Sequence, residues 1–350
     1  MKKILTIILM LAAILAFAGC NKGAGEGNKE SKKRVLHIYN WTYYIPPEVI
    51  RGFETKYNCK VIYDEFASNE EMFAKLKAGA EGYDLTFPSG DFTSIMIKEN
   101  MIQEIDKTKV PNFKNISPEV LNIIKFDPGN KYSVPYAMAA TGIAVNTKYI
   151  KNYKKDFSVF EDPKNKGKLL LLDDMREVMG HALAQLGYSV NSTNQEELNK
   201  AKELVKKWKA NILAFDSESN AKKFANEEVW VTHSYAENVW RELSEEGKKS
   251  FEFFLPEKGG PKYMDSMVIL KDAPNKELAY EFINYMLDPQ VYAKVVEFFR
   301  FPSIIPDAMK YTEVKPFYEL KDIMKFEFKE DVGAAIENYD KVWQEVKVGQ

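Results

Sequence analysis

The sequence predicts a two-lobe α/β protein behind a removable leader, and three observations carry that expectation. At 350 residues, 45% of them hydrophobic, the chain exceeds the roughly 250–300 residues at which single cores stop growing. Short apolar runs alternate with stretches of helical periodicity, the pattern of right-handed crossovers around a parallel sheet. Gly259, Gly260 and Pro261 interrupt the alternation as a return crossing between lobes would.

The leader comes first in the chain. Lys2 and Lys3 precede an uncharged apolar run over 4–17, then Ala18, Gly19 and Cys20. This reads as an export signal, since a membrane span needs about 20 apolar residues. A Cys directly after small residues resembles the lipobox of bacterial lipoproteins, which implies lipidation of Cys20, with 1–19 removed. Cys59 is then the remaining thiol, so no internal disulfide forms, and its apolar setting predicts a buried strand residue. Residues 21–33 are Gly-rich, charged and without apolar anchors, a tether that reaches about 40 Å when extended.

Strands are expected at 35–39, 59–63 and 83–87. Between them lie a helix opened by Pro46 and Pro47, and another behind the capping-box spacing of Ser68 and Glu71. A second set of alternations begins near Ala139, with strands at 142–146, 168–172, 251–255 and 267–270. Helices are expected at 175–186, closed by Gly187, at 195–208, at 277–287, from Asp288-Pro289 onward, and at 332–346. Ligands of open α/β sheets bind beyond the carboxyl ends of strands. That directs attention to the loops 41–44, 89–92 and 173–177.

Charge and motifs exclude several functions. With 49 Lys and Arg against 51 Asp and Glu, the chain lacks the basic excess of a nucleic-acid binder. No phosphate-binding glycine motif or nucleophile elbow follows a strand, and His37, His181 and His233 are too scattered for a metal-ligand spacing. No cofactor and no metal are expected. The loops instead carry carboxylates (Asp91, Asp174, Glu177, and Asp265 near the crossing) among the aromatic residues Trp41, Tyr43, Tyr44, Phe92, Tyr235, Trp240 and Tyr263. Such a set suits separated ammonium groups joined by methylenes, because carboxylates pair the charges while rings cover the CH2 groups. Each residue alone has a plainer role: acids at a helix start favour its dipole, Trp41 and Tyr44 could be core, and Asp265 could cap a turn.

The run Tyr39-Asn-Trp-Thr-Tyr-Tyr-Ile-Pro-Pro47 resembles the start of the spermidine/putrescine-binding proteins of bacterial polyamine ABC transporters. Further blocks agree in order: 63–72, 83–89, 132–136, Leu170-Leu-Leu-Asp-Asp-Met-Arg-Glu-Val178, Met264-Asp-Ser266 and 331–335. The resemblance implies a type II periplasmic-binding-protein fold, each lobe a mainly parallel sheet flanked by helices with the ligand cleft between them. It places 34–140 with about 265–307 in one lobe, and 141–264 with about 308–350 in the other. It also implies ligand contacts at Trp41, Thr42, Tyr44, Ser89, Asp174, Glu177, Ser217 and Asp265. Several positions depart from the family pattern. Tyr43 stands where the family has Glu, and Asp91 where it has an aromatic residue, so Asp91 is expected to replace the missing carboxylate. Tyr235 and Tyr263 replace tryptophans, Phe301 replaces a tyrosine, and Lys329 falls where a polar amide is usual.

The function so implied is binding without catalysis: a polyamine is captured by lobe closure and delivered to a membrane permease and, through it, an ATPase. The protein is expected to be exported, monomeric and held to a bacterial membrane by its lipid. The same fold binding an amino acid, a sugar or a metal ion, or an exported hydrolase using the cleft carboxylates, are the alternatives.

Overall fold

The computed structural model describes residues 34–42 and 44–348. Cys20 and Tyr43, and the expected leader and tether, lie outside them. In chain order the strands are β1 (Arg34–Trp41), β2 (Cys59–Phe66), β3 (Leu85–Thr86), β4 (Val134–Ala139), β5 (Gly142–Asn146), β6 (Leu169–Leu171), β7 (Ile212–Phe215), β8 (Val231–Ser234), β9 (Phe251–Phe254), β10 (Pro261–Ile269) and β11 (Glu327–Phe328). They form two sheets. One has the order β11-β10-β3-β1-β2 with β4 also on β10, and the other the order β7-β6-β8-β5-β9. In the first, β1 pairs in parallel with β2 and β3, while β10 runs antiparallel to β3 and β4. In the second, β6 pairs in parallel with β7 and β8, and β5 is antiparallel to β8 and β9.

Local sequence explains most elements. Pro47 opens the helix Pro47–Tyr57, which buries Val49 and Phe53 and ends at Asn58 in the left-handed region. Ser68 caps Asn69–Lys77 by accepting from the Glu71 amide. Asn194 caps Gln195–Lys209, whose Leu198, Ala201, Val205 and Trp208 are buried at helical spacing. Asp288 caps Pro289–Phe299.

The departures from expectation have physical causes. The third strand is only Leu85–Thr86; just before it Asp84 keeps backbone hydrogen bonds to His37 and Leu270 while its buried carboxylate accepts the amides of His37 and Asn275, a polar position that breaks the apolar run. Strand β10 starts well before residue 267, and β8 was not foreseen. Both bury polar residues, Asp265 and Ser266 in one and Thr232, His233 and Ser234 in the other, which breaks the apolar signature of a core strand.

Each sheet has its own large core. The first gathers Phe53, Tyr136, Phe282 and Tyr292. The second gathers Phe157, Phe160, Trp208 and, from the last helix Ile336–Val348, Tyr339 and Trp343. Tyr318, Ile323 and Phe326 join the first core, so the chain stays with it beyond residue 307.

The chain passes between the sheets three times: at 140–141, at 255–260 and after β11. The second passage runs close to the helix Met175–Gln185. A Cβ at Gly260 would lie 2.2 Å from the His181 ring, and one at Gly180 would lie 2.5 Å from Pro261. Only glycine fits at either point.

Candidate ligand cleft

Strand ends from both sheets meet around a cavity of about 780 Å³. Trp41, Thr42 and Tyr44 enter it at and after the end of β1, Ser89 and Asp91 after β3, and Asp174 after β6. Ser217 follows β7, Tyr235 follows β8, and Tyr263 and Asp265 lie on β10. The volume falls within the range of small-molecule pockets. All three loops singled out from the sequence therefore contribute.

Asp265 is buried where β10 bulges between it and Ser266. Its carboxylate accepts hydrogen bonds from Ser89 Oγ at 2.6 Å and Tyr44 Oη at 2.5 Å. Burial pushes its pKa up to about 6, against the opposing effect of those two donors. Ser89 is fixed in turn by Asn69, whose amide nitrogen donates to it at 3.1 Å. Tyr44 packs between Tyr136 and Phe299, and Trp41 donates its indole N–H to the Phe87 carbonyl. Across the cavity, Tyr235 and Tyr263 meet edge to face at 5.9 Å. The aromatic walls are thus held rigidly, with a carboxylate between them.

The opposite end is built on the helix Met175–Gln185, whose N-cap is Asp174. Its first turn carries Glu177, which does not line the cavity: it lies behind it, 1% exposed. Lys329 fills the intervening space, with Nζ 2.6 Å from Glu177 Oε1. The Thr141 hydroxyl donates to the other Glu177 oxygen at 2.6 Å and lies 2.9 Å from Nε2 of both His181 and His233. A hydroxyl has one proton to give, so both imidazoles donate to Thr141 as neutral Nε2–H tautomers. Burial agrees, holding His181 well below the ordinary range and His233 down to about 3. Glu177, His181 and His233 bring potential ligand atoms within 4.8 Å of one another. The lysine on Glu177 and the shared hydroxyl already occupy the Glu177 carboxylate and both Nε2 atoms, while Nδ1 of each histidine is buried without a hydrogen-bond partner among the described residues. The two histidines are 52 positions apart in sequence, too far for any spacing rule to pair them.

Phe301, expected in the cleft, also lies behind it. It stacks on Phe299 at 5.1 Å, and Phe299 presents its own ring to the cavity, because the chain turns at Arg300 in the left-handed region. Conversely, Glu237 lines the cavity without having been foreseen. Burial raises its carboxyl to about 7. The usable signal was an acid two residues after the aromatic Tyr235, lost because β8 was not recognised. Across the lining, six carboxylates (Glu70, Asp91, Asp174, Glu218, Glu237 and Asp265) face the three cations Arg176, Arg241 and Lys329, an excess that favours a cationic solute.

The model of the bacterial extracellular solute-binding protein family matches residues 48–319. The chain belongs to this family. Among relatives of this solute-binding protein, the spermidine/putrescine-binding periplasmic protein of Salmonella typhimurium is 38% identical over 332 residues, covering 91% of this chain and 93% of the relative. The crystal structure of the TpPotD lipoprotein of Treponema pallidum is similar at TM-score 0.87 and 46% identity, over 89% of this chain and 99% of that one. A spermidine/putrescine ABC transporter substrate-binding protein, PotD of Streptococcus pneumoniae, matches at TM-score 0.81 and 30% identity, over 90% and 99% of the two chains. The two-sheet architecture of this solute-binding protein is that of the type II periplasmic binding proteins. No helix among the described residues is long and apolar enough to cross a membrane.

Proposed function

We propose that the protein is the solute-binding component of a polyamine ABC uptake transporter, taking a linear di- or triamine into the cleft and delivering it unchanged to a membrane permease. The observation that carries this reading is the pairing of the buried Asp265 and the partly exposed Glu237, both raised in pKa, with the rings of Trp41, Tyr44, Tyr235 and Tyr263 around one cavity. Buried carboxylates that resist ionisation hold a latent demand for a cation, and the rings shelter its methylenes. The spermidine/putrescine-binding relatives point the same way.

Trp41, Thr42, Tyr43, Tyr44, Ser89, Asp91, Asp174, Ser217, Tyr235, Tyr263 and Asp265 are the proposed contacts, with Glu237 and Phe299 added, and Glu177 and Phe301 acting from behind. The lobes, expected as 34–140 with about 265–307 and 141–264 with about 308–350 but with 261–264 and 308–328 now assigned to the first, close on the ligand around the three passages. The exported monomer is held to the membrane through Cys20, in keeping with the lipoprotein of Treponema pallidum.

Isothermal titration calorimetry of the chain without its leader, refolded to strip carried-over solute, tests this against putrescine, spermidine, cadaverine, arginine and a simple sugar. Saturable one-to-one binding of a polyamine and none of the sugar is expected. A well-folded sample silent to every polyamine would overturn the reading.

A further inference from the structure

Lys329 is the one lysine lining the cavity among the described residues, and it sits on the third passage between the sheets. Its backbone is fixed there by the pairing of β11 with the start of β10, continued by the Lys329 amide donating to the Lys262 carbonyl at 3.2 Å. The side chain reaches across to the helix of the second sheet and places Nζ 2.6 Å from Glu177. Its side chain is only 17% exposed and that of Glu177 1%. The charge is far from isolated: Asp174 from the second lobe and Asp91 from the first both act on it, and these carboxylates hold its pKa well above the ordinary value despite burial. Asp265 and Glu237, by contrast, form no ion pair among the described residues.

We propose, resting on the polyamine reading above, that Lys329 is an internal cation occupying one ammonium position of the cleft, so that the protein selects a diamine over a triamine. The lysine is covalently supplied, so it is present at a local concentration that free amine cannot match. It pairs with Glu177 and offsets the charge of Asp174 and of Asp91 across from it. That leaves Asp265 and Glu237 as the less exposed lining carboxylates without an ion pair among the described residues, Arg241 acting on Glu237 through space, while Glu70 and Glu218 are exposed to solvent. A third ligand ammonium would have to enter beside Nζ, in a poorly hydrated space where like charges repel strongly. The same ammonium pairs with Glu177 and attracts Asp91 of the other lobe through space before any ligand arrives, lowering the repulsion that closure would otherwise raise.

The test is calorimetry of putrescine and spermidine on the mature wild-type protein and on Lys329→Gln. In the wild type, spermidine is expected to bind no more tightly than putrescine. In Lys329→Gln, spermidine should gain at least tenfold relative to putrescine, because the vacated acids accept its additional ammonium. Removing the lysine exposes Glu177 as an unpaired buried charge, so Lys329→Gln/Glu177→Gln, which removes both charges, serves if the single variant does not fold. With Asp174 and Asp91 freed, it should show the same direction of change. A wild type that favours spermidine tenfold or more, or a spermidine-to-putrescine ratio unchanged in a folded variant, overturns the inference while leaving polyamine binding intact. Absence of any polyamine binding to the folded wild type and variants overturns the polyamine reading, and the inference with it.

Discussion

Asp265 takes its two hydrogen bonds from hydroxyls, and burial holds its carboxyl near pH 6. Substituting Asp265→Asn removes the charge while keeping the volume. Polyamine affinity should then fall at least tenfold by calorimetry, since truncating a desolvated charge partner costs about 2–5 kcal/mol. The melting temperature of the ligand-free variant should not fall, because the buried charge it removes was unfavourable. The pH dependence follows from the same groups. Ammonium binds the ionised carboxylates, so affinity should drop as pH falls through about 7 for Glu237 and about 6 for Asp265, with protons released on binding in that range. Glu237→Gln should remove the upper part of that dependence. For stability without ligand the sign is reversed. Both native pKa values exceed the unfolded ones, so their contribution is full below about pH 4 and is lost as pH rises through 6–7.

At the scale of elements, the helix Met175–Gln185 lies against the passage at 259–261 with two glycines at the contact. Gly260→Ala would drive a methyl into the His181 ring and should destabilise by about 1–3 kcal/mol or more in chemical unfolding. By comparison, Ser68→Ala, which loses one N-cap bond far from the passages, should cost about 1 kcal/mol. The histidine pair joins this helix to β8 through Thr141. His233 is depressed to about 3, so its contribution is present above the ordinary histidine pKa of about 6.5 and lost as pH falls toward 3. A His233→Gln variant should therefore lose less stability than the wild type on acidification from pH 6.5 to 4.

For the whole molecule, two cores joined by three passages present a cleft that a bound cation would tie together. Ligand at 100 times Kd should add about 2.7 kcal/mol to unfolding free energy by mass action. Lobe closure should also lower the radius of gyration in small-angle scattering. An unchanged radius on saturation would argue against closure as the capture step.

The sequence by itself determined the helices with clear caps and periodicity, such as Gln195–Lys209 and Pro289–Phe299, and the parallel pair β1 and β2. These signals are local, written within a few turns or one strand. It also determined the family, because ordered blocks along the whole chain carry that resemblance, and it drew attention to the three loops that meet at the cavity. Only the tertiary structure decided that Lys329 stands between Glu177 and the cavity, that Glu237 belongs to the lining, and that Phe299 rather than Phe301 faces inward. It likewise decided that His181 and His233 share one hydroxyl. The physical reason is common to all of them. Burial, ion pairing and the pKa values they set depend on which elements the passages bring together, and Glu177 and Lys329, 152 positions apart in the chain, carry no mark of each other in their own neighbourhoods.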